Sequence, residues 1–204
     1  MNEKEKPTDI QLLNKRKFFT AAESLINRFG YRKTTIQDIC KAAGMSKPTF
    51  YSLFTDKADL FVKMMLYISE TAILKWENEL PDEINPMQKL LRFFDFYTDL
   101  YTSKPIFRSF YFDPAIMEKF AGFFYSKPDS PLLTLLKNIL NEGMKSGHFR
   151  KIDPEPIIWM IYTSLDMMYI LIPMMTDKPG PGEKPELAEE IRQFILHGVG
   201  ANNE

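Results

Sequence analysis

Apolar residues recur along this chain at the three- and four-residue spacing of a helix, and alternation of period two is nowhere sustained. Phe18, Ala22, Leu25 and Phe29 fall on one stripe. They predict a helix opened near Thr8, with Gln11 three residues on, and closed by Gly30. Thr34 followed by Gln37 predicts a second start, with Ile36, Ile39, Cys40 and Ala43 sharing a face until Gly44 ends a helix of about two to three turns. Ser46 is placed to cap a third helix, in which Pro48 is tolerable because first-turn amides lack an intrahelical acceptor. Phe50 and Phe54, four apart, point to a core. Thr55 and Asp56 open a fourth helix with Leu60, Phe61, Met64, Ile68 and Ala72 inside, running to about Leu80 before "PDEINP" breaks it. Further helices are predicted at roughly 86–102, 105–111, 115–125, 131–146, 155–175 and 185–201, with "TDKPGPGEKP" (176–185) as a loop. The reading is all-α, with about nine or ten helices.

Composition adds compartment and charge. The 204 residues suffice for one large domain or for a small head on a larger body. A single cysteine, Cys40, excludes an internal disulfide and a multi-cysteine metal site, and "MNEKEKPTDI" is too polar for a signal peptide, so a cytoplasmic protein is expected. The net charge of −1 is unevenly divided: residues 1–60 carry 11 Lys/Arg against 7 Asp/Glu, while residues 61–204 carry 15 against 20. A basic head suits a polyanion, although a solvated surface carries such a balance equally well. The stretch "IIWMIYTSLDMMYILIPMM" (157–175) approaches a membrane span in length. Asp166 in its middle, with Thr163, Ser164 and Pro173, argues instead for a helix buried on most sides by protein, and no membrane association is expected.

Two short helices joined by a tight glycine turn, the second capped by serine and exposing polar groups, make a helix-turn-helix. Ile39, Phe50 and Phe54 would fix the angle between them, so that the second enters a major groove and its polar side chains meet bases and phosphates. Short capped helices also occur in proteins that touch no DNA, and spacing alone leaves both readings open. The run "FFTAAESLINRFGYRKTTIQDICKAAGMSKPTFYSLFTDKADLF" (18–61) resembles the N-terminal domain of the TetR family of transcriptional repressors. Ala22, Phe29, Gly30, Tyr31, Thr34, Thr35, Ile39, Ala43, Gly44, Ser46, Thr49, Tyr51, Phe54, Lys57 and Leu60 fall in register with that family's pattern.

The resemblance implies an N-terminal three-helix DNA-binding domain over 1–57 and a larger helical effector-binding and dimerisation domain over 58–204. It implies DNA contacts from Ser46, Lys47, Thr49, Tyr51 and Ser52 on the third helix, with Pro48 in the same segment, from Thr35 on the second, and from Lys57 to a phosphate. Lysines neutralise phosphates, and tyrosine or threonine meets a phosphate, a base edge or a thymine methyl. A solvated face for the lysines and half-buried packing for Tyr51 are the plain alternatives. Pro48 and Leu53 stand where relatives often carry a small residue and a tyrosine or histidine. Base specificity is therefore expected to rest on Thr49, Ser52 and Gln37. Arg32 and Lys33 are equally an exposed turn or further phosphate contacts.

In the rest of the chain, 13 aromatics crowd residues 93–125. A bulky core explains them, and so does an apolar effector cavity, the reading the resemblance encourages. Its candidate lining is Phe94, Tyr97, Tyr101, Phe107, Phe110, Phe120 and Phe124, with Trp159, Tyr162 and Asp166 from a later helix. A lone carboxylate among apolar neighbours needs a partner. Arg108, Tyr162, its own mate across a dimer axis and a cationic ligand are all open for Asp166. The family pairs its last two long helices across a twofold axis, which makes Ile161, Leu165, Met168 and Ile172 with Phe194, Ile195 and Gly198 the candidate homodimer interface. Gly198 beside Phe194 and Ile195 would permit close helix approach.

An enzyme acting on an aromatic or lipid-like substrate and a pure interaction protein are the rival classes. Only His148 and His197 are present as histidines, no acid lies near either in sequence, and no nucleotide-binding glycine loop or metal spacing occurs. No cofactor, metal or catalytic residue is expected. The expectation is a homodimeric regulator that binds double-stranded operator DNA as a repressor and is released from a pseudo-palindromic operator by a small hydrophobic or aromatic effector.

Overall fold

A computed structural model describes residues 9–103, 106, 113–119, 130–167 and 185–200. The named elements among them are all helices: α1 (Asp9–Phe29), α2 (Ile36–Ala43), α3 (Lys47–Tyr51), α4 (Lys57–Asn78), α5 (Pro86–Ser103), α6 (Pro131–Lys145), α7 (Pro154–Asp166) and α8 (Pro185–Val199). A further helical stretch covers 114–119. The remainder of the stretches expected at 105–111 and 115–125, and the end of the one expected at 155–175, lie outside the described residues. The chain divides into two compact units, Met1–Tyr67 with Pro105–Phe123, and Ile68–Lys104 with Phe124–Glu204.

In the first unit α1 packs on α2 and α2 on α3. Gly30 ends α1 with φ +81°, its N–H donating to the Ile26 carbonyl at 2.8 Å. Gly44 ends α2 with φ +66°, its N–H shared between the Cys40 and Lys41 carbonyls, as glycine permits without Cβ strain. The cap of α2 falls one residue later than expected. Thr35 is the N-cap, and the hydroxyl of buried Thr34 instead donates to the Gly30 carbonyl at 2.9 Å. The Thr35 hydroxyl oxygen accepts from the Asp38 N–H at 3.2 Å while the Asp38 carboxylate accepts from the Thr35 N–H at 3.2 Å. This is a capping box with aspartate in place of glutamate.

The core of this unit is aromatic. Phe18, Phe50 and Phe54 are fully enclosed, with ring centroids 5.5 Å (Phe18–Phe50), 5.8 Å (Phe18–Phe54) and 5.2 Å (Phe50–Phe54) apart. Tyr31 meets Phe61 edge-on at 5.1 Å. Such pairs contribute about 0.5–1.5 kcal/mol each beyond area burial. The expected stripe on α1 is displaced: Ile26 is buried, whereas Phe29 is 47 % exposed beneath the Arg28 guanidinium. Asp56 caps α4 by accepting the Asp59 N–H at 2.8 Å and pairs with Lys119 at 3.0 Å.

In the second unit α5 packs on α6 and α8, and α6 on α7. Leu90, Phe93, Phe94 and Tyr97 of α5 and Leu136, Ile139 and Leu140 of α6, two helices that pack together, are all buried. Lys89–Glu142 ties α5 to α6 at 2.9 Å, and Arg192–Asp95 ties α8 to α5. After α6 the buried Phe149 ring lies over Gly143, and its backbone pairs with Gly200 in an isolated bridge. Helix α7 is less enclosed than expected: Met160 and Met167 are exposed, along with Thr163 and Ser164.

Two predictions follow from this packing. A methyl at Gly143 would overlap the Phe149 ring, so Gly143→Ala, which helix propensity alone would favour, should destabilise the protein by about 1–3 kcal/mol in chemical denaturation. At α2, the hydrogen bonds from the Thr35 hydroxyl and N–H hold the Asp38 carboxyl below its ordinary pKa. Its contribution to stability is therefore complete above about pH 4 and is lost as the pH falls through the lower folded-state value. Asp38→Asn should lower the melting temperature at pH 7, and the gap to wild type should close toward pH 2.

Candidate nucleic-acid interface

The turn between α2 and α3 is short because both of its ends are fixed, the first by the backbone of a glycine and the second by a side-chain cap. Gly44 turns the backbone, and Ser46 then caps α3, its hydroxyl oxygen accepting the Thr49 N–H at 3.2 Å. Pro48 lies in the first turn, where no N–H is missed. Phe50 holds the inner side of α3 and Phe54 the link that follows it, which leaves Ser46, Lys47, Pro48, Tyr51 and Ser52 exposed and Thr49 half-buried. Tyr51 is 55 % exposed and rests edge-on against Phe50 at 5.3 Å, which restrains its ring. The Ser46 and Thr49 hydroxyls are 2.8 Å apart, and that of Ser52 donates to the Thr49 carbonyl at 2.8 Å. Each hydroxyl oxygen keeps acceptor capacity for an incoming donor. Thr35 and Gln37, at the start of α2, are exposed as well.

Lys57 is placed differently. Its ammonium turns inward, donating to the Tyr31 carbonyl at 2.9 Å and the Thr34 carbonyl at 3.0 Å, 4.0 Å from the centroid of the Tyr31 ring. Burial pushes its pKa down, and Asp113 works the other way. Burial, then Asp113 and Asp56, push the Tyr31 hydroxyl up, so it stays protonated. Burial also raises the Cys40 thiol, against an opposing effect of Lys47, and this leaves it an inert core group.

Sequence reasoning did not single out Lys63, whose ammonium pairs with Asp59 at 2.8 Å and donates to the Leu53 carbonyl at 3.3 Å. The Asp59–Lys63 spacing of four was the available signal. A groove of about 510 Å³ between α1 and α2, lined by Arg16, Lys17, Thr20 and Ser24 over Ala42 and Ala43, was also missed. The polar row at 16, 20 and 24 marked it.

Of the effector-pocket candidates, Phe94, Tyr97 and Tyr162 are buried, Tyr97 packing edge-on against Tyr162 at 6.1 Å. Trp159 is 6.4 Å from Tyr162 and partly exposed. Phe107, Phe110, Phe120 and Phe124 lie outside the described residues, as do Arg108 and the side chains of Tyr101 and Asp166. A cavity of about 660 Å³ in this unit lies instead along α7 and α8 as an open apolar groove. It holds Ile161, Phe194, Ile195 and Gly198 from the interface candidates, and adds Met160, Thr163, Ser164, Met167 and Glu190. Phe194 is 77 % exposed. Ile161, Leu165 and Ile195 are already buried within the chain, so the outward row of α7 is 160, 163, 164 and 167. Met168 and Ile172 lie outside the described residues.

No helix among the described residues is long and apolar enough to cross a membrane, and those residues hold no cluster of three metal-ligating side chains. Residues 18–64 match the family model for bacterial regulatory proteins of the tetR family. An uncharacterized HTH-type transcriptional regulator, YhgD, of Bacillus subtilis (strain 168) is 24 % identical over 195 residues, spanning 92 % of this chain and 97 % of that one. The fold is similar to that of the transcriptional regulator FadR from Bacillus subtilis in complex with stearoyl-CoA, with TM-score 0.66, 19 % identity and coverage of 90 % and 98 %. It is also similar to a putative transcriptional regulator from Saccharomonospora viridis in complex with choline, with TM-score 0.65, 18 % identity and coverage of 94 % and 100 %. The helix-turn-helix built by α2 and α3, the match of residues 18–64 to the tetR family model across it, and the similarity of nearly the whole chain to HTH-type transcriptional regulators make this protein a DNA-binding transcriptional regulator with a tetR-type head.

Proposed function

We propose that this chain is a homodimeric cytoplasmic repressor that binds a pseudo-palindromic operator and leaves it when a small, largely hydrophobic molecule occupies the larger unit. The observation that carries this reading is the presentation of α3: five residues, capped by Ser46, anchored by Phe50 and Phe54, with Lys47, Tyr51 and Ser52 facing out. Thr35, Gln37, Ser46, Lys47, Pro48, Thr49, Tyr51 and Ser52 form the DNA-reading set, and Lys47 neutralises a phosphate. DNA reading belongs to residues 1–57, and effector binding with dimerisation to 58–204. A regulatory rather than catalytic role is favoured by both histidines, which sit near helix ends. The Nδ1 of His148 faces the Ser146 hydroxyl at 2.9 Å, and that of His197 faces the Gln193 carbonyl at 2.7 Å.

The open groove along α7 and α8 supports dimerisation. Met160, Met167 and Phe194 expose more apolar surface than an isolated subunit has reason to leave uncovered, and a second copy meeting it about a twofold axis completes a four-helix bundle. The axis also sets two copies of α3 about one turn of DNA apart. Regulators of this fold are known with stearoyl-CoA and with choline. The buried Phe94, Tyr97 and Tyr162 rings, with Trp159 beside Tyr162, favour an effector with a sizeable apolar part. Helix α4 belongs to the first unit through Tyr67 and to the second from Ile68, and it is the proposed lever. The effector acts by preferring the conformation in which the two heads are wrongly spaced.

Selection from random duplex DNA by the purified protein should enrich a pseudo-palindrome that Tyr51→Ala fails to enrich. On that sequence Lys47→Ala should flatten the slope of log affinity against log salt by about 2, one phosphate contact being lost from each half-site. Phe194→Arg should convert the dimer to monomer in analytical ultracentrifugation and lower operator affinity at least about 100-fold, because the second half-site no longer acts in concert. A monomeric wild type, or enrichment by Tyr51→Ala, would contradict the reading.

A further inference from the structure

Two lysines of α4 hold the backbone on either side of the helix-turn-helix. Ahead of α2, the Lys57 ammonium donates to the carbonyls of Tyr31 (2.9 Å) and Thr34 (3.0 Å), which bracket the turn from α1. Behind α3, the Lys63 ammonium donates to the Leu53 carbonyl at 3.3 Å, in the link to α4. Asp59 completes this second clamp: one carboxylate oxygen pairs with Lys63 at 2.8 Å and accepts the Thr55 N–H at 2.9 Å. Each ammonium also lies near the face of a core ring, Lys57 at 4.0 Å from Tyr31 and Lys63 at 5.6 Å from Phe54. Hydrogen bonds from a charged donor to a carbonyl are about twice as strong as neutral ones, and a carbonyl held from outside its own helix cannot drift with a fraying end.

We infer that Lys57 and Lys63 are positioning residues that fix α2 and α3 on α4 for DNA reading, and that Lys57 does so in place of the phosphate contact expected for a lysine at that point of the chain. The inference rests on α3 being the reader. The geometry favours the framing role of Lys57, because two of its three ammonium donors are committed to carbonyls and the half-buried ammonium lies against a ring. A short helix needs such a frame. The five residues of α3 make too few internal bonds to hold their own direction, and contacts to base edges are directional. The nearby charges agree with an inward role: Asp113 and Asp56 face the Tyr31–Lys57 pair, and Lys119 answers Asp56 at 3.0 Å.

Salt dependence distinguishes a framing lysine from one on a phosphate, since only the latter releases counterions. Affinity for the selected operator would be measured between about 50 and 200 mM salt for the full-length wild type, Lys57→Met, Lys63→Met and, as the reference for a phosphate contact, Lys47→Ala. Methionine keeps the unbranched apolar stem of lysine while removing the donor and the charge. Lys57→Met and Lys63→Met should each weaken binding at least about tenfold with the salt slope of wild type, whereas Lys47→Ala loses about 2 from the slope. In the free protein, amide exchange across residues 36–52 should quicken in both methionine variants while α6 exchanges as in wild type. A slope reduced by about 2 in Lys57→Met would return that residue to the phosphate. Unchanged affinity, or unchanged exchange across 36–52, would overturn the framing role. Absence of sequence-selective binding by the wild type would instead remove α3 as the reader, a failure visible before any variant is compared.

Discussion

A helix of five residues has no independent existence in water, where even favourable sequences need about 12–15 residues to be marginally helical. Helix α3 persists because Phe50 and Phe54 are clamped against Phe18 of α1 in a cluster of rings that excludes solvent completely. Everything outward on α3 depends on that clamp. A side chain meant for a groove must stand clear of the protein, so a reading helix can be anchored only from its inner side and its ends. The inner side is aromatic and the first end is Ser46. The flanking backbone is held from α4.

The same constraint organises the rest of the first unit. Gly30 and Gly44, both at positive φ, let three helices turn within the span that one longer helix would occupy. Capping groups recur at the starts of α2, α3 and α4: Thr35 with Asp38, Ser46 with Thr49, and Asp56 with Asp59. The second unit is built on different terms. Its long helices bury broad apolar faces and its ion pairs tie neighbours together, yet the α7–α8 groove stays open with Phe194 almost uncovered. One unit is closed around its core and displays polar groups; the other leaves an apolar surface that a second copy can fill.

Local signals made the head legible in the sequence. Glycine stops, a serine cap, an early proline and phenylalanines four apart act within a few residues of themselves, and the structure places α1 to α4 within a residue or two of where those signals pointed. Placement of the α2 cap slipped from Thr34 to Thr35 because adjacent threonines carry the same signal, and only tertiary burial of Thr34 decides between them. Rotation of α7 was not legible for the same kind of reason. An almost wholly apolar run has no polar face to set its phase, so Ile161 and Leu165 turned inward and Met160, Ser164 and Met167 outward. Lys57 illustrates a further limit: its position near the reader was evident, but the direction of a flexible four-carbon stem depends on carbonyls 26 and 23 residues earlier.

Hydroxyl-radical footprinting of the full-length protein on its selected operator tests the central claim most directly, because it reports where on the duplex two copies of α3 sit. The account predicts two equivalent protected patches on one face of the DNA, their centres about 10 base pairs, or 34–36 Å, apart. A single patch, or uniform protection that follows no sequence, would contradict it.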